Sequence, residues 1–154
     1  MRLTDFVSPE AVIANLKATS KKQLLFELSE RAAKLSGVSA REIFDALLHR
    51  ERLGSTGIGE GLAIPHGKLT QVKSIFGLFT RLERPIEFDS LDGAPVDLVF
   101  LLLAPEASGA DHLKALACAA RMLRDPGIVA TIRATRDHDA LYSLIAQRSK
   151  PHAA

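Results

Sequence analysis

Between Val96 and Leu103 the sequence runs Val-Asp-Leu-Val-Phe-Leu-Leu-Leu, apolar at every position but one. A strand wetted on one face alternates apolar with polar side chains, whereas a run this uniform belongs inside a sheet covered on both faces. It has strand length and falls far short of the ~20 apolar residues that span a bilayer. A sheet covered on both faces needs helices, and the flanking sequence supplies them.

Ser20-Lys-Lys-Gln23 has the form of a capping box, and Leu24, Leu25, Leu28, Ala32 and Leu35 follow at helical spacing up to Gly37. Ser39-Ala-Arg-Glu42 opens a second helix carrying Ile43, Phe44, Leu47 and Leu48, which runs out at Arg50-Glu-Arg52. Downstream, Asp111 to Arg124 is amphipathic, with Leu113, Leu116, Ala117, Ala120 and Leu123 expected on its inner face and Asp125-Pro-Gly127 at its end. Shorter helices are expected around Ile128–Ala134 and Ala140–Ala146. Strand signals fall at Ala11–Leu16, at Ser74–Leu82 with a continuation to Phe88, and at Val96–Leu103, with Asp92-Gly93 as a turn. The expected fold is α/β, a three-layer sandwich with a mixed central sheet of about five strands flanked by helices on both faces. One domain is expected over residues 1–150, a size that buries a sizeable core without a staple, followed by a frayed tail at 151–154.

Composition excludes several functions. There are seven Phe, one Tyr and no Trp, and the longest basic run is Lys21-Lys22 within a net charge of +2. A nucleic-acid surface of stacking rings and clustered cations is therefore not expected. The single Cys118 rules out an internal disulfide framework and suits a reducing compartment. With no secretory or membrane-inserting segment in the sequence, the expected location is the cytoplasm.

Five of the ten glycines fall between Gly54 and Gly67, in Gly-Ser-Thr-Gly-Ile-Gly-Glu-Gly-Leu-Ala-Ile-Pro-His-Gly. The spacing is not that of a dinucleotide loop, because Leu62 stands where the third glycine belongs, nor of a Walker loop, because Leu69 holds the hydroxyl position. The five histidines include no i, i+4 pair and there is no Cys-x-x-Cys, so no metal site is expected. Ser55 lacks the Gly-x-Ser-x-Gly elbow of a hydrolase nucleophile. What remains is His66 as a nucleophile whose imidazole holds a phosphoryl group. Glycines such as Gly57 and Gly67 would let amides approach the phosphoryl oxygens, and Ser55, Thr56, Arg50 and Lys68 would add donors. A flexible turn with a solvated imidazole accounts for the same residues, and on the residues alone both readings stand. His112, at the start of an amphipathic helix, stands out no more than any exposed first-turn residue.

The ordered segment Arg50-Glu-Arg-Leu-Gly-Ser-Thr-Gly-Ile-Gly-Glu-Gly-Leu-Ala-Ile-Pro-His-Gly-Lys68 closely resembles the active-site signature of the enzyme IIA domains of the bacterial phosphoenolpyruvate-dependent sugar phosphotransferase system, fructose/mannitol class. The likeness extends to Pro95–Pro105 and His112–Leu116. It implies that His66 accepts phosphate from a histidine-containing phosphocarrier protein, that Arg50 stabilises the phosphoryl oxygens, and that His112 hydrogen-bonds or donates to the phosphate. It implies no metal and no cofactor. Two roles fit such a domain: passing phosphate to a IIB domain for sugar uptake, or nitrogen-related regulation of targets such as potassium-transport or sensor-kinase proteins. The lack of a linker, a IIB-like cysteine site or a membrane segment, and the wording around Pro-His-Gly-Lys, favour the regulatory branch. Glu60 would repel a phosphoryl group if it faced His66, so it is expected to point outward.

Overall fold

The computed structural model describes residues 1–148, so the expected tail at 151–154 lies outside the described residues. Six strands, β1 (Val12–Leu16), β2 (Gly57–Gly59), β3 (Leu62–Ala63), β4 (His66–Leu69), β5 (Phe76–Ile86) and β6 (Val96–Pro105), form one mixed sheet. Among the described residues five α-helices flank it: α1 (Lys21–Ser36), α2 (Ala40–Arg52), α3 (Ala110–Leu123), α4 (Pro126–Ala134) and α5 (His138–Arg148).

The aliphatic run is the middle of that sheet. Every residue from Leu98 to Ala104 has no exposed surface, as expected where both faces are covered. Along one side β6 pairs antiparallel with β5, which in turn pairs parallel with β1. Along its other side β6 pairs parallel with β3 and then β4, at one constant register: Leu62 opposite Leu98, His66 opposite Leu102. β3 and β4 are thus one strand interrupted at Ile64-Pro65. Pro65 has no amide hydrogen to give the ladder, while its carbonyl still accepts from the Leu102 amide at 3.0 Å.

Six strands rather than about five result because the glycine stretch contributes three short ones. β2 folds back on β3 through Gly59, Glu60 and Gly61, whose φ angles are +94°, +58° and +84°. Three successive left-handed residues make a reversal tight enough for a hairpin, and two glycines carry most of its steric cost.

The helix starts follow the capping residues. Ser20 Oγ accepts from the Gln23 amide, and the Gln23 side chain reaches back to the amide and hydroxyl of Thr19, one residue earlier than in a closed capping box. Ser39 caps α2 through the Glu42 amide. Asp125 both ends α3 and caps α4, accepting from the amides of Gly127 and Ile128, with Pro126 at the first helical position. The inner face of α3 differs from expectation. His112, Ala115, Cys118, Ala119 and Met122 are buried together with Leu123, whereas Leu113 is 67% exposed and Ala117 is exposed. The helix is rotated so that small residues meet the sheet and two leucines, Leu113 and Leu116, are left for the cavity described next.

Candidate functional site

His66 opens β4 directly after the Pro65 interruption. Its Nδ1 lies 2.8 Å from the carbonyl oxygen of Ile64. A carbonyl only accepts, so Nδ1 carries the proton and the lone pair of the neutral ring is on Nε2. Two elements converge on that ring. α2 packs against β4 with Ala46 over Gly67, where a Cβ would just reach contact at 3.4 Å from the Ala46 Cβ. The last turn of α2 is thereby delivered to the site with Arg50, whose Nη1 donates to the Gly54 carbonyl at 2.8 Å. From the other side α3 begins just beyond the end of β6, after a turn in which Ser108 Oγ donates to the Pro105 carbonyl. It brings the His112 ring to 5.7 Å, centroid to centroid, from that of His66 at a tilt of 49°.

A cavity of ≈ 680 Å³ opens over these rings, lined by Asp45, Ala46, His49, Arg50 and Leu53 on α2 and just past its end, His66, Gly67 and Lys68 on β4, and His112, Leu113 and Leu116 on α3. Four of the predicted site residues, Arg50, His66, Lys68 and His112, meet there, with Gly67 beneath them. His49, Leu53, Leu113 and Leu116 join them unannounced by the sequence.

Burial pushes the His66 imidazole below its ordinary range; the Ile64 carbonyl opposes this, the Arg50 guanidinium adds to it, and the Glu51 carboxylate opposes it. His112 is also held low, by burial first and then by His66 and Lys68. Both rings are therefore neutral around neutrality. His112 Nδ1 is buried without a hydrogen-bond partner. A neutral imidazole keeps one N–H, so His112 can offer the cavity a hydrogen-bond donor without adding charge. The site thus combines an unprotonated, half-buried nitrogen with a guanidinium, an ammonium and a neutral N–H donor, the equipment for receiving and stabilising a dianionic group.

Ser55, Thr56 and Gly57 do not line the cavity. Ser55 Oγ donates to the Phe88 carbonyl and accepts from the Gly57 amide. Thr56 is buried, and both its amide and its hydroxyl donate to the carboxylate of Glu51, which also pairs with Lys21 at 3.0 Å. These donors hold the loop in shape. Glu60 is exposed and does not line the cavity; its amide donates to Asp92 and its carbonyl accepts from Arg133. Among the described residues no three His, Cys, Asp or Glu side chains are grouped to hold a metal ion, and no helix is long and apolar enough to cross a membrane.

The mixed sheet flanked by helices, with His66 at a strand start and His112 and Arg50 beside it, is the architecture of a phosphotransferase-system IIA domain. The chain belongs to the family "Phosphoenolpyruvate-dependent sugar phosphotransferase system, EIIA 2", which it matches over residues 5–148. The nitrogen regulatory protein of Bradyrhizobium diazoefficiens is 60% identical over 146 residues, covering 95% of both chains. That of Escherichia coli K12 is 40% identical, covering 94% of this chain and 90% of the other. In three dimensions the chain is similar to the nitrogen regulatory protein IIA-Ntr of Neisseria meningitidis, with a TM-score of 0.87 at 32% identity over 93% of this chain and 98% of that one. The fructose-specific EIIABC component of Bacillus subtilis is 31% identical, but this chain spans only 24% of its length.

Proposed function

We propose that this chain is the phosphohistidine-carrying regulatory IIA component of a nitrogen-related phosphotransferase system. The observation that carries the proposal is the Nδ1–H bond of His66 to Ile64, which leaves Nε2 unprotonated in a cavity shared with Arg50 and His112. The donor is a histidine-containing phosphocarrier protein, itself charged at the expense of phosphoenolpyruvate. In the transfer the Nε2 lone pair attacks phosphorus, a new N–P bond forms, and the donor's N–P bond breaks with its electron pair returning to the donor imidazole. No proton has to leave Nε2 first. Arg50 and Lys68 offset the charge on the equatorial oxygens, and His112 donates its N–H to one of them. Leu53 and Leu113, 73% and 67% exposed, flank the cavity as an apolar rim suited to docking the carrier.

The regulatory role, with targets such as potassium-transport or sensor-kinase proteins, is supported by likeness to nitrogen regulatory proteins along nearly the full length of both chains. The sugar-uptake reading has one observation in its favour, the similarity to a segment of multidomain sugar-specific components; there the chain would hand its phosphate to a IIB domain. Both readings place the protein in the cytoplasm, where its donor is charged. The test is incubation with enzyme I, phosphocarrier and labelled phosphoenolpyruvate. Acid-labile, alkali-stable label is expected on the wild type and none on His66→Ala; label retained by the variant overturns the assignment. Affinity capture with His66→Asp and His66→Ala then separates regulatory targets from a IIB domain.

A further inference from the structure

The last turn of α2 sends two adjacent side chains in different directions. Arg50 enters the cavity, while Glu51, with only 3% of its side chain exposed, turns into the base of the glycine loop. Its carboxylate is saturated there by the Thr56 amide, the Thr56 hydroxyl and the Lys21 ammonium. Beyond Thr56 the bonds continue toward the histidine. The Thr56 carbonyl accepts from the Ile64 amide at 3.0 Å, and the Ile64 carbonyl accepts from His66 Nδ1 at 2.8 Å.

The carbonyl that sets the His66 tautomer is thus flanked by two pins. On its C-terminal side Pro65 has a fixed φ and its own carbonyl bound by the Leu102 amide of the central strand. On its N-terminal side the pin is the Thr56 carbonyl, whose own residue is anchored by Glu51. The first pin belongs to the core of the sheet. The second hangs on a buried carboxylate in the last turn of α2, which Lys21 pairs from the other side.

We propose that Glu51 and Thr56 are positioning residues for the phosphoacceptor: through Thr56 and Ile64 they aim the carbonyl that keeps the His66 proton on Nδ1 and leaves Nε2 free to react. The proposal rests on the phosphoacceptor reading for its consequence, but its geometry belongs to the unphosphorylated protein. A carboxylate suits the task because it accepts all three donors at once. A carboxamide at Glu51 would turn its NH₂ toward the Lys21 ammonium or the Thr56 donors and lose at least one of these bonds.

The experiment is long-range ¹H–¹⁵N NMR on the imidazoles of the wild type, Glu51→Gln, Thr56→Val and Thr56→Ser, followed by single-turnover phosphorylation of each. The wild type and Thr56→Ser are expected to show His66 as the Nδ1–H tautomer. In Glu51→Gln and Thr56→Val the Nε2–H tautomer becomes detectable, and the transfer rate falls roughly ten- to a hundredfold with little change in carrier KM. Thr56→Val leaves the charge at Glu51 in place, so a tautomer shift in Glu51→Gln alone would mean a field effect and would overturn the relay. Folded variants with the wild-type tautomer would overturn it as well. If Glu51→Gln fails to fold, the Thr56 pair decides. A tautomer shift in a protein whose wild type accepts no phosphate would leave the relay standing and sink the phosphoacceptor reading instead.

Discussion

Replacing Gly61 by alanine separates the two jobs of the glycine stretch. Gly61 has φ +84°, and a Cβ built on it would stand 2.5 Å from Arg133 Nη2 and 2.9 Å from Asp97 Oδ1. Arg133 clamps this turn: its Nε and Nη2 donate to both carboxylate oxygens of Asp97, and Nη2 also donates to the Glu60 carbonyl at 2.7 Å. The left-handed backbone costs an alanine about 1–2 kcal/mol. The end of a flexible arginine can swing clear, but only by giving up its bonds to Asp97 and Glu60, worth about 1.5–3 kcal/mol where a charged group is involved. Arg133 and Asp97 are 37% and 24% exposed, so water replaces part of that loss, and a total of about 2–4 kcal/mol follows. For a chain of this length the melting temperature should fall by about 5–15 °C. Urea or thermal unfolding measures this directly. Gly61→Ala combined with Arg133→Ala should cost less than the sum of the two single changes, since the clash and the lost clamp are the same event. Phosphorylation of His66 in the folded fraction should be nearly unchanged. A Gly61→Ala protein as stable as the wild type, or one that is fully stable yet unable to accept phosphate, would refute the assignment of this glycine to the hairpin rather than to the site.

Arg50→Ala and His112→Ala should each slow transfer by roughly tenfold or more while the protein stays folded, as expected for groups facing the transferred charge; single-turnover kinetics and circular dichroism check both halves. Leu113→Lys should raise the carrier KM with little effect on stability, because this residue is already 67% exposed; steady-state transfer at varied carrier concentration reports it. His66 and His112 have depressed pKa values in the fold, so their contribution to stability is complete above about pH 6.5 and is lost as pH falls below that unfolded-state value. His138, whose ring nitrogens face Asp139 and the Pro9 carbonyl, is shifted upward and acts with the opposite sign, stabilising in acid and fading as pH rises through its folded value. Denaturant midpoints between pH 5 and 8 should show a weaker acid loss in His66→Ala and a stronger one in His138→Ala.

The elements with strong local causes were legible in the sequence. Ser20 and Ser39 marked helix starts, Asp125-Pro-Gly127 marked the end of α3, and the Val96–Leu103 run marked a strand buried on both faces, because capping and uniform burial act over a few residues. The strands of the glycine stretch were not legible, since β3 has two residues and exists through its register with β6, not through any propensity of Leu62-Ala63. The face of α3 was misjudged for a related reason: counting large apolar residues favours Leu113, whereas close approach to the sheet selects Ala115 and Ala119 and leaves the leucines to the rim. In the site, the family likeness brought out His66, Arg50 and His112, which do meet. The hydroxyls of Ser55 and Thr56 lie near His66 in sequence but point to Phe88 and Glu51. No sequence signal distinguishes a loop's own donors from those aimed at a ligand. Glu51 was hidden by its position between two arginines, where a solvated helix-end charge is the ordinary expectation.

If Ile64 holds the proton on Nδ1 of His66, phosphate is carried on Nε2. Phosphorylating ¹⁵N-histidine-labelled protein with enzyme I, phosphocarrier and phosphoenolpyruvate, then reading the ³¹P–¹⁵N coupling by NMR, tests it most directly. One phosphohistidine is expected, at Nε2, absent from His66→Ala. A phosphoryl group on Nδ1, or on any other residue, would contradict it.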